Sequence, residues 1–433
     1  MGRCAPDRLL RVSQHRALER HLGLADAVHI GVASMVGAGI FTAFAPAARA
    51  AGAWLLLGLL LAAVVALSNA TSSAQLAAQY PTSGGTYVYG RERLGPWWGF
   101  VAGWGFVIGK TASCAAMALA FAAYAVPPGW QKPVAVSAVI VLAAVNYRGV
   151  IRTAGLARAI VTLVLIGLAV TLTAIAVATS QSGASWSLGP TGRPGPLGVL
   201  QAAALLFFAF AGYARIATMG EEVIEPRRTI PRAILVAFAV VVPLYAVTGV
   251  VLLGALGAHG LASSTAPLRD AARASGAPDW LQPVIVLAAT AATLGALLAL
   301  VAGVARTALA MAREGDLPQR LAAIHPRYAV PHVAEVVIAV VVCALVVLGD
   351  LRGTIGFSSF GVLTYYAIAN ASALTQDSAH RRYPPSLQVV GLVGCVILAL
   401  AVPVTSLTAG ACVLGIGVLG RLVVIRRRGS APA

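Results

Sequence analysis

Two short glycine-bearing stretches and a few charges set among apolar residues carry the chemistry of this chain. The first stretch is Gly31-Val32-Ala33-Ser34-Met35-Val36-Gly37-Ala38-Gly39-Ile40-Phe41, with Gly37 and Gly39 in the middle of an apolar run. A glycine in a helix interior costs roughly 1 kcal/mol relative to alanine, so the pair marks either an opened helix or a close helix–helix contact. The second stretch, Phe207-Phe208-Ala209-Phe210-Ala211-Gly212-Tyr213, repeats the feature, and its Gly212 follows Gly39 by 173 residues. Two opened helices in one membrane protein expose N–H and C=O groups at the bilayer midplane, where they can hold the charged ends of a small molecule.

Lys110 and Arg215 are the two basic residues inside apolar segments. Desolvating either demands a partner, a water-filled cavity or a function. Lys110, in the middle of its segment, is expected to face a cavity, where it exchanges a proton during a functional cycle or attracts an anionic group. Arg215 lies about one turn beyond Gly212 and is expected to snorkel inward or to bond the open carbonyls. The acids Asp26, Glu221, Glu222 and Glu335 all sit near segment ends. Glu221 and Glu222 stand opposite Arg227, Arg228 and Arg232, as helix-end solvation or as a gate that breaks and reforms.

Enzyme chemistry finds little footing. His29, the one histidine near a helix interior, has no matching histidine or carboxylate, and Cys4, Cys114, Cys343, Cys395 and Cys412 are scattered without a Cys-x-x-Cys spacing. No metal site, cofactor or disulfide framework is expected.

The elements that must position these residues follow from composition. Of 433 residues, 59% are hydrophobic and only 10% charged, against roughly 25% charged in a soluble domain. That balance reads as an all-α polytopic membrane protein. About twelve apolar stretches recur, each long enough to cross ~30 Å of hydrocarbon. Residues 1–24 form a polar tail, helices 1–5 fall within 25–180, helices 6–10 within 197–375, helices 11 and 12 within 386–425, and 426–433 form a second tail. The loop around 257–282 is long enough for a short helix. Five helices per half is an odd number, so the halves enter the membrane from opposite sides, as in an inverted repeat.

The net charge of +17 comes almost wholly from arginine. With the N-terminus inside, 23 basic residues fall on the cytoplasmic side and six outside, which predicts both termini in the cytoplasm of a multi-pass cytoplasmic-membrane protein. These charges face anionic membrane lipid; no basic run is interleaved with aromatics, so no nucleic-acid partner is expected.

Gly37-Ala38-Gly39-Ile40-Phe41 resembles the Gly-x-Gly-Ile-Phe signature of the amino acid, polyamine and organocation (APC) superfamily. The sixth segment through Glu221-Glu222 to Pro226-Arg227-Arg228-Thr229-Ile230-Pro231 is similar to that superfamily's pattern, as are Pro81 to Tyr89, Ala310 to Pro318 and Ser358-Ser359-Phe360-Gly361. The resemblance implies a permease with the leucine-transporter-like 5+5 inverted repeat plus two C-terminal helices, working by alternating access. It places the substrate carboxylate on backbone amides of Gly37, Ala38, Gly39 and Ile40. The substrate amino group falls on carbonyls of Met35, Phe208 and Ala209, with Phe210 and Tyr213 as aromatic gates or lids.

Two departures bear on coupling and substrate. Relatives that carry cationic amino acids often have Asp where this chain has Ala214, and proton-coupled relatives can carry a lysine on the fifth helix, where this chain reads Ile160-Val161-Thr162-Leu163-Val164-Leu165. An adjacent Ser/Thr pair for sodium is absent from the eighth helix, since Thr290 and Thr293 stand apart. The expectation is a secondary transporter of amino acids, neutral before acidic, coupled to protons or working by exchange. The alternatives are a carrier of polyamines or other organic amines, and a membrane sensor that keeps the fold without transport.

Overall fold

The computed structural model describes residues 22–80, 84–149, 154–181, 195–217, 219 and 222–429. Among them regular structure is helical, and one isolated bridge joins Leu22 to Val223. The first crossing is interrupted: α1 (Leu24–Val36) stops, α2 (Gly39–Thr42) restarts, and α3 (Phe44–Ala51) completes it. The chain then turns at Gly52, whose φ of 57° suits glycine and few other residues, and returns as α4 (Leu55–Gln79). A short polar helix, α5 (Thr86–Leu94), leads into α6 (Pro96–Ala125), α7 (Gln131–Tyr147) and α8 (Ala154–Gln181). The second interrupted crossing consists of α9 (Pro196–Phe210), a 3-10 turn over Ala211–Tyr213, and α10 (Ala214–Ala217). There follow α11 (Pro226–Ser263), α12 (Pro267–Ala274), α13 (Leu281–Arg313), α14 (His332–Leu348), α15 (Leu351–Leu374), α16 (Pro385–Ala401) and α17 (Val404–Gly429).

Among the described residues, eight stretches are long and apolar enough to cross a membrane. The helices α7, α14 and α16 are apolar but 17 residues long, about 26 Å at 1.5 Å per residue, close to the hydrocarbon thickness. The twelfth is α15. It carries Ser358, Ser359, Tyr365, Tyr366, Asn370 and Ser372, all buried, so its polarity meets protein and not lipid. The short helix expected within 257–282 is α12.

Packing is tightest where side chains vanish. Gly105 and Gly109 of α6 face Gly361 of α15 so closely that a methyl group on Gly361 would lie 2.6 Å from the Gly105 carbonyl oxygen. Without a hydrophobic drive between helices in lipid, such close backbone approach supplies the attraction.

At the end of the bundle where α5 and α6 meet, one carboxylate gathers four segments. Asp316 accepts from the Tyr87 hydroxyl at 2.8 Å and pairs with Arg91 at 3.3 Å and Arg421 at 3.0 Å. Arg421 also donates to the Pro96 carbonyl at 2.8 Å and stacks over the rings of Trp97 and Phe100. Burial, and then the hydrogen bond to Asp316, push the Tyr87 phenol well above its ordinary range, so it stays a donor. Asp316 is only 5% exposed, and removing it leaves two guanidinium groups facing one another. Asp316→Ala is therefore expected to cost about 3 kcal/mol, read as a lowered Tm of the detergent-solubilised protein, with Asp316→Asn costing less.

Candidate functional site

The site is made of backbone. α1 ends at Val36, Gly37 leaves the helical region at φ −39° and ψ −118°, and α2 restarts at Gly39. The amides of Gly39 and Ile40 open a new helix, where the first N–H groups have no preceding turn to bond. In the second crossing α9 gives way after Phe210 to the 3-10 turn that contains Gly212.

These interruptions touch each other. A methyl group on Gly39 would lie 2.5 Å from the Ala209 backbone, and one on Gly212 would lie 2.1 Å from the Ser34 carbonyl oxygen. The glycines thus serve both roles that their spacing allows: the helices open at them, and they permit the contact. Met35, Ala38, Gly39, Ile40, Phe208, Ala209 and Phe210 are all buried at this crossing, and Gly37 lies against Ala296 of α13.

Tyrosines and one lysine hold the open carbonyls. The Tyr245 hydroxyl of α11 donates to the Met35 carbonyl at 2.6 Å and to that of Ala209 at 3.0 Å, joining the two interrupted crossings. Lys110 of α6, 6% exposed, places Nζ 3.0 Å from the Ala211 carbonyl, and the Tyr366 hydroxyl reaches the same oxygen at 3.4 Å. Phe210 stacks on Phe238 with ring centroids 6.0 Å apart, and Tyr213 stacks on Tyr366 at 4.9 Å. Lys110, drawn from the sequence as an isolated buried cation, is brought to the second interruption.

On one side of the crossing, the Tyr124 hydroxyl donates to the Phe41 carbonyl at 2.9 Å and accepts from the Leu268 amide at 3.3 Å, which ties α12 to α2 through α6. On the other side Arg215 pairs with Glu222 at 3.6 Å, and the Glu222 carbonyl accepts from the Leu22 amide. The arginines that the sequence sets opposite Glu222 are Arg227, Arg228 and Arg232; the described ion pair is with Arg215, seven residues before it. Arg228 pairs with Glu225 at 3.9 Å, and Arg227 offers its carbonyl to Arg382. Glu221 lies outside the described residues.

Sequence reading missed Tyr245, Tyr366 and Tyr124. Their signal was available: a phenol inside an apolar segment needs an acceptor, and in a helical bundle the spare acceptors are the carbonyls of an opened helix.

A family model described as amino acid permease matches residues 26–414. An uncharacterized transporter of Mycobacterium tuberculosis is 56% identical over 95% of this chain and 93% of its own. A branched-chain amino acid permease of Bacillus subtilis is 26% identical over 76% of this chain and 74% of its own. A chloroplastic cationic amino acid transporter of Arabidopsis thaliana is 27% identical over 87% of this chain and 68% of its own.

The crossing makes a steric prediction. Gly212→Ala drives a methyl group into the Ser34 backbone, which cannot rotate away, and is expected to cost about 1–3 kcal/mol. Gly415→Ala, where nothing lies within 4 Å, serves as the neutral control. Thermal unfolding of both in detergent checks the difference.

Proposed function

The chain belongs to the amino acid permease family, and from that premise we propose that it moves amino acids across the cytoplasmic membrane by alternating access, with both termini in the cytoplasm. The observation that carries the reading is the backbone crossing of two interrupted helices. A zwitterion needs donors and acceptors a few ångströms apart, and this crossing supplies amides from one helix start and carbonyls from both helices. In this reading the amides of Gly37, Ala38, Gly39 and Ile40 take the carboxylate, with that of Gly37 giving up its 3.2 Å bond to the Ala33 carbonyl to do so. The carbonyls of Met35, Phe208 and Ala209 take the amino group, and Phe210 and Tyr213 close over the substrate.

Tyr245 gives this arrangement a resting state. Its hydroxyl satisfies the Met35 and Ala209 carbonyls, and an incoming ammonium group would share or replace those bonds. Lys110 is the coupling residue of the proposal. As an ammonium it ties α6 to the second interruption through a charge-assisted bond, and loss of its proton weakens the tie and frees that segment to move. The Arg215–Glu222 pair acts as the cytoplasmic gate, opened when the segment moves. A buried cation disfavours a second one beside it, so neutral amino acids come first as substrates and acidic ones second, lysine and arginine last.

Three measurements test the reading. Proteoliposomes holding the purified protein, offered pooled radiolabelled amino acids, should accumulate label in response to an inward proton gradient or to unlabelled amino acid trapped inside. No uptake from any pool by folded, inserted protein would turn the assignment toward other amines or a sensor. Lys110→Met is expected to flatten the dependence of uptake on pH between about pH 5 and pH 8, and a pH profile like that of the wild type would remove Lys110 from coupling. Tyr245→Phe, which frees the Met35 and Ala209 carbonyls from a competing donor, is expected to lower KM more than it changes the maximal rate.

A further inference from the structure

Away from the crossing, α4, α15 and α16 enclose a row of polar side chains. At the inner end Lys110 Nζ and the Tyr366 hydroxyl converge on the Ala211 carbonyl, at 3.0 and 3.4 Å. One turn along α15, Asn370 Nδ2 donates to the Tyr366 carbonyl at 2.8 Å and to Asn69 Oδ1 at 2.6 Å, while its Oδ1 accepts from the Ser72 hydroxyl at 2.7 Å. The Cys395 thiol of α16 donates to the same Asn69 oxygen at 3.3 Å. Further toward the ends of α4 and α15, Gln376 donates to Gln79 Oε1 at 2.6 Å. Gln75 Oε1 there accepts from the amides of Arg382 and Tyr383, at 3.2 and 3.3 Å.

Between the asparagine level and the glutamine level the bonding fails. Asn69 Nδ2, Ser73 Oγ, Gln75 Nε2, Ser372 Oγ, Gln376 Oε1 and both amide atoms of Gln388 are buried without a partner. None of these six side chains is more than 2% exposed. Gln388 belongs to the same row, because it shares a helix face with Gly391, which abuts the Asn370 amide, and with Cys395. Polar atoms buried in a membrane bundle are satisfied by protein or by water, and one water can serve two to four of them.

We propose that this row is a hydrated proton route from Lys110 to the cytoplasmic face, separate from the path the substrate takes through the crossing; it rests on the proton-coupled reading of Lys110. One N–H bond of the ammonium breaks and its proton passes to water beside the Ala211 carbonyl and the Tyr366 hydroxyl, leaving a neutral amine. The proton then moves along the water held by the serine hydroxyls and the asparagine and glutamine amides, and enters bulk water near Arg382. Nothing is oxidised or reduced, and the amides hold water without themselves taking the proton. The groups that face Lys110 fit this role. Tyr366 of α15 shares its acceptor, Tyr213 stacks on Tyr366, and Cys114 stands one turn along α6. Among the described residues neither Arg306 of α13 nor Glu335 of α14 forms an ion pair with Lys110, and Arg421 of α17 is taken up by Asp316.

The test uses full-length protein in proteoliposomes, with a mixture of radiolabelled amino acids as probe and Gln388→Leu and Ser372→Ala as variants, neither residue touching the crossing. Accumulation driven by a proton gradient should fall roughly tenfold, while exchange at equal pH on both sides stays within about twofold of the wild type. Loss of both activities together, or retention of both, overturns the route. A wild type that exchanges without responding to a proton gradient overturns the coupled reading as well, and is distinguishable because the failure appears before any substitution. Radiolytic hydroxyl labelling, which marks side chains beside bound water, should find Cys395 in the wild type and lose it in Gln388→Leu. An unlabelled Cys395 in the wild type likewise overturns the route.

Discussion

A bilayer offers no hydrogen bonds to a backbone, and this constraint governs the architecture. Unbroken helices satisfy it within themselves. The two interrupted crossings cannot, so each exposed carbonyl must find a donor from elsewhere in the bundle. Tyr245 serves Met35 and Ala209, Lys110 and Tyr366 serve Ala211, and Tyr124 serves Phe41. Three neighbouring helices, α6, α11 and α15, are thereby fastened to the interruptions by hydroxyl and ammonium groups. Their bonds can be exchanged for bonds to a ligand at small net cost, because one donor replaces another at the same acceptor. In the proposed function, the features that make the openings tolerable in lipid also make them usable.

Glycine placement follows from the same constraint. Gly39 and Gly212 have no space for a β-carbon because each faces backbone of the other crossing. Close contact and opened helix are competing explanations of a Gly-x-Gly sequence. Here the contact is what lets one opened helix lie against the other, bringing amides and carbonyls within reach of a single small molecule. The Asp316 cluster works on a different scale, holding α5, α6 and α17 together through buried charge at one end of the bundle.

Much of this was legible in the chain itself. Composition and apolar spacing gave the twelve crossings, and the paired glycines gave the position of both interruptions, because a helix-breaking residue inside an apolar run has few uses. The partners were less legible. That Lys110 reaches Ala211, 101 residues away, depends on how α6 leans against the second interruption, and no local pattern encodes that. The Arg215–Glu222 pair is likewise a contact that a linear reading assigns to the more numerous arginines that follow. The tyrosines were visible as residues and invisible as a set, since their common property is the acceptor each one finds.

The polar row along α4, α15 and α16 shows how a bundle can keep two chemistries apart. At the crossing the carbonyls of Met35, Ala209 and Ala211 each meet a side-chain donor, while the amides that open α2 are left for another acceptor. Along the row several buried amides and hydroxyls are left open, which suits a channel for something smaller and less demanding of geometry. Both systems meet at the Ala211 carbonyl, where Lys110 and Tyr366 bind one oxygen from two helices. In the proposed coupling, a change in the charge of Lys110 alters the hold on the second interruption and the occupancy of the row in the same step. In the proposed coupling, this carbonyl is the atom that the proton route and the substrate crossing share.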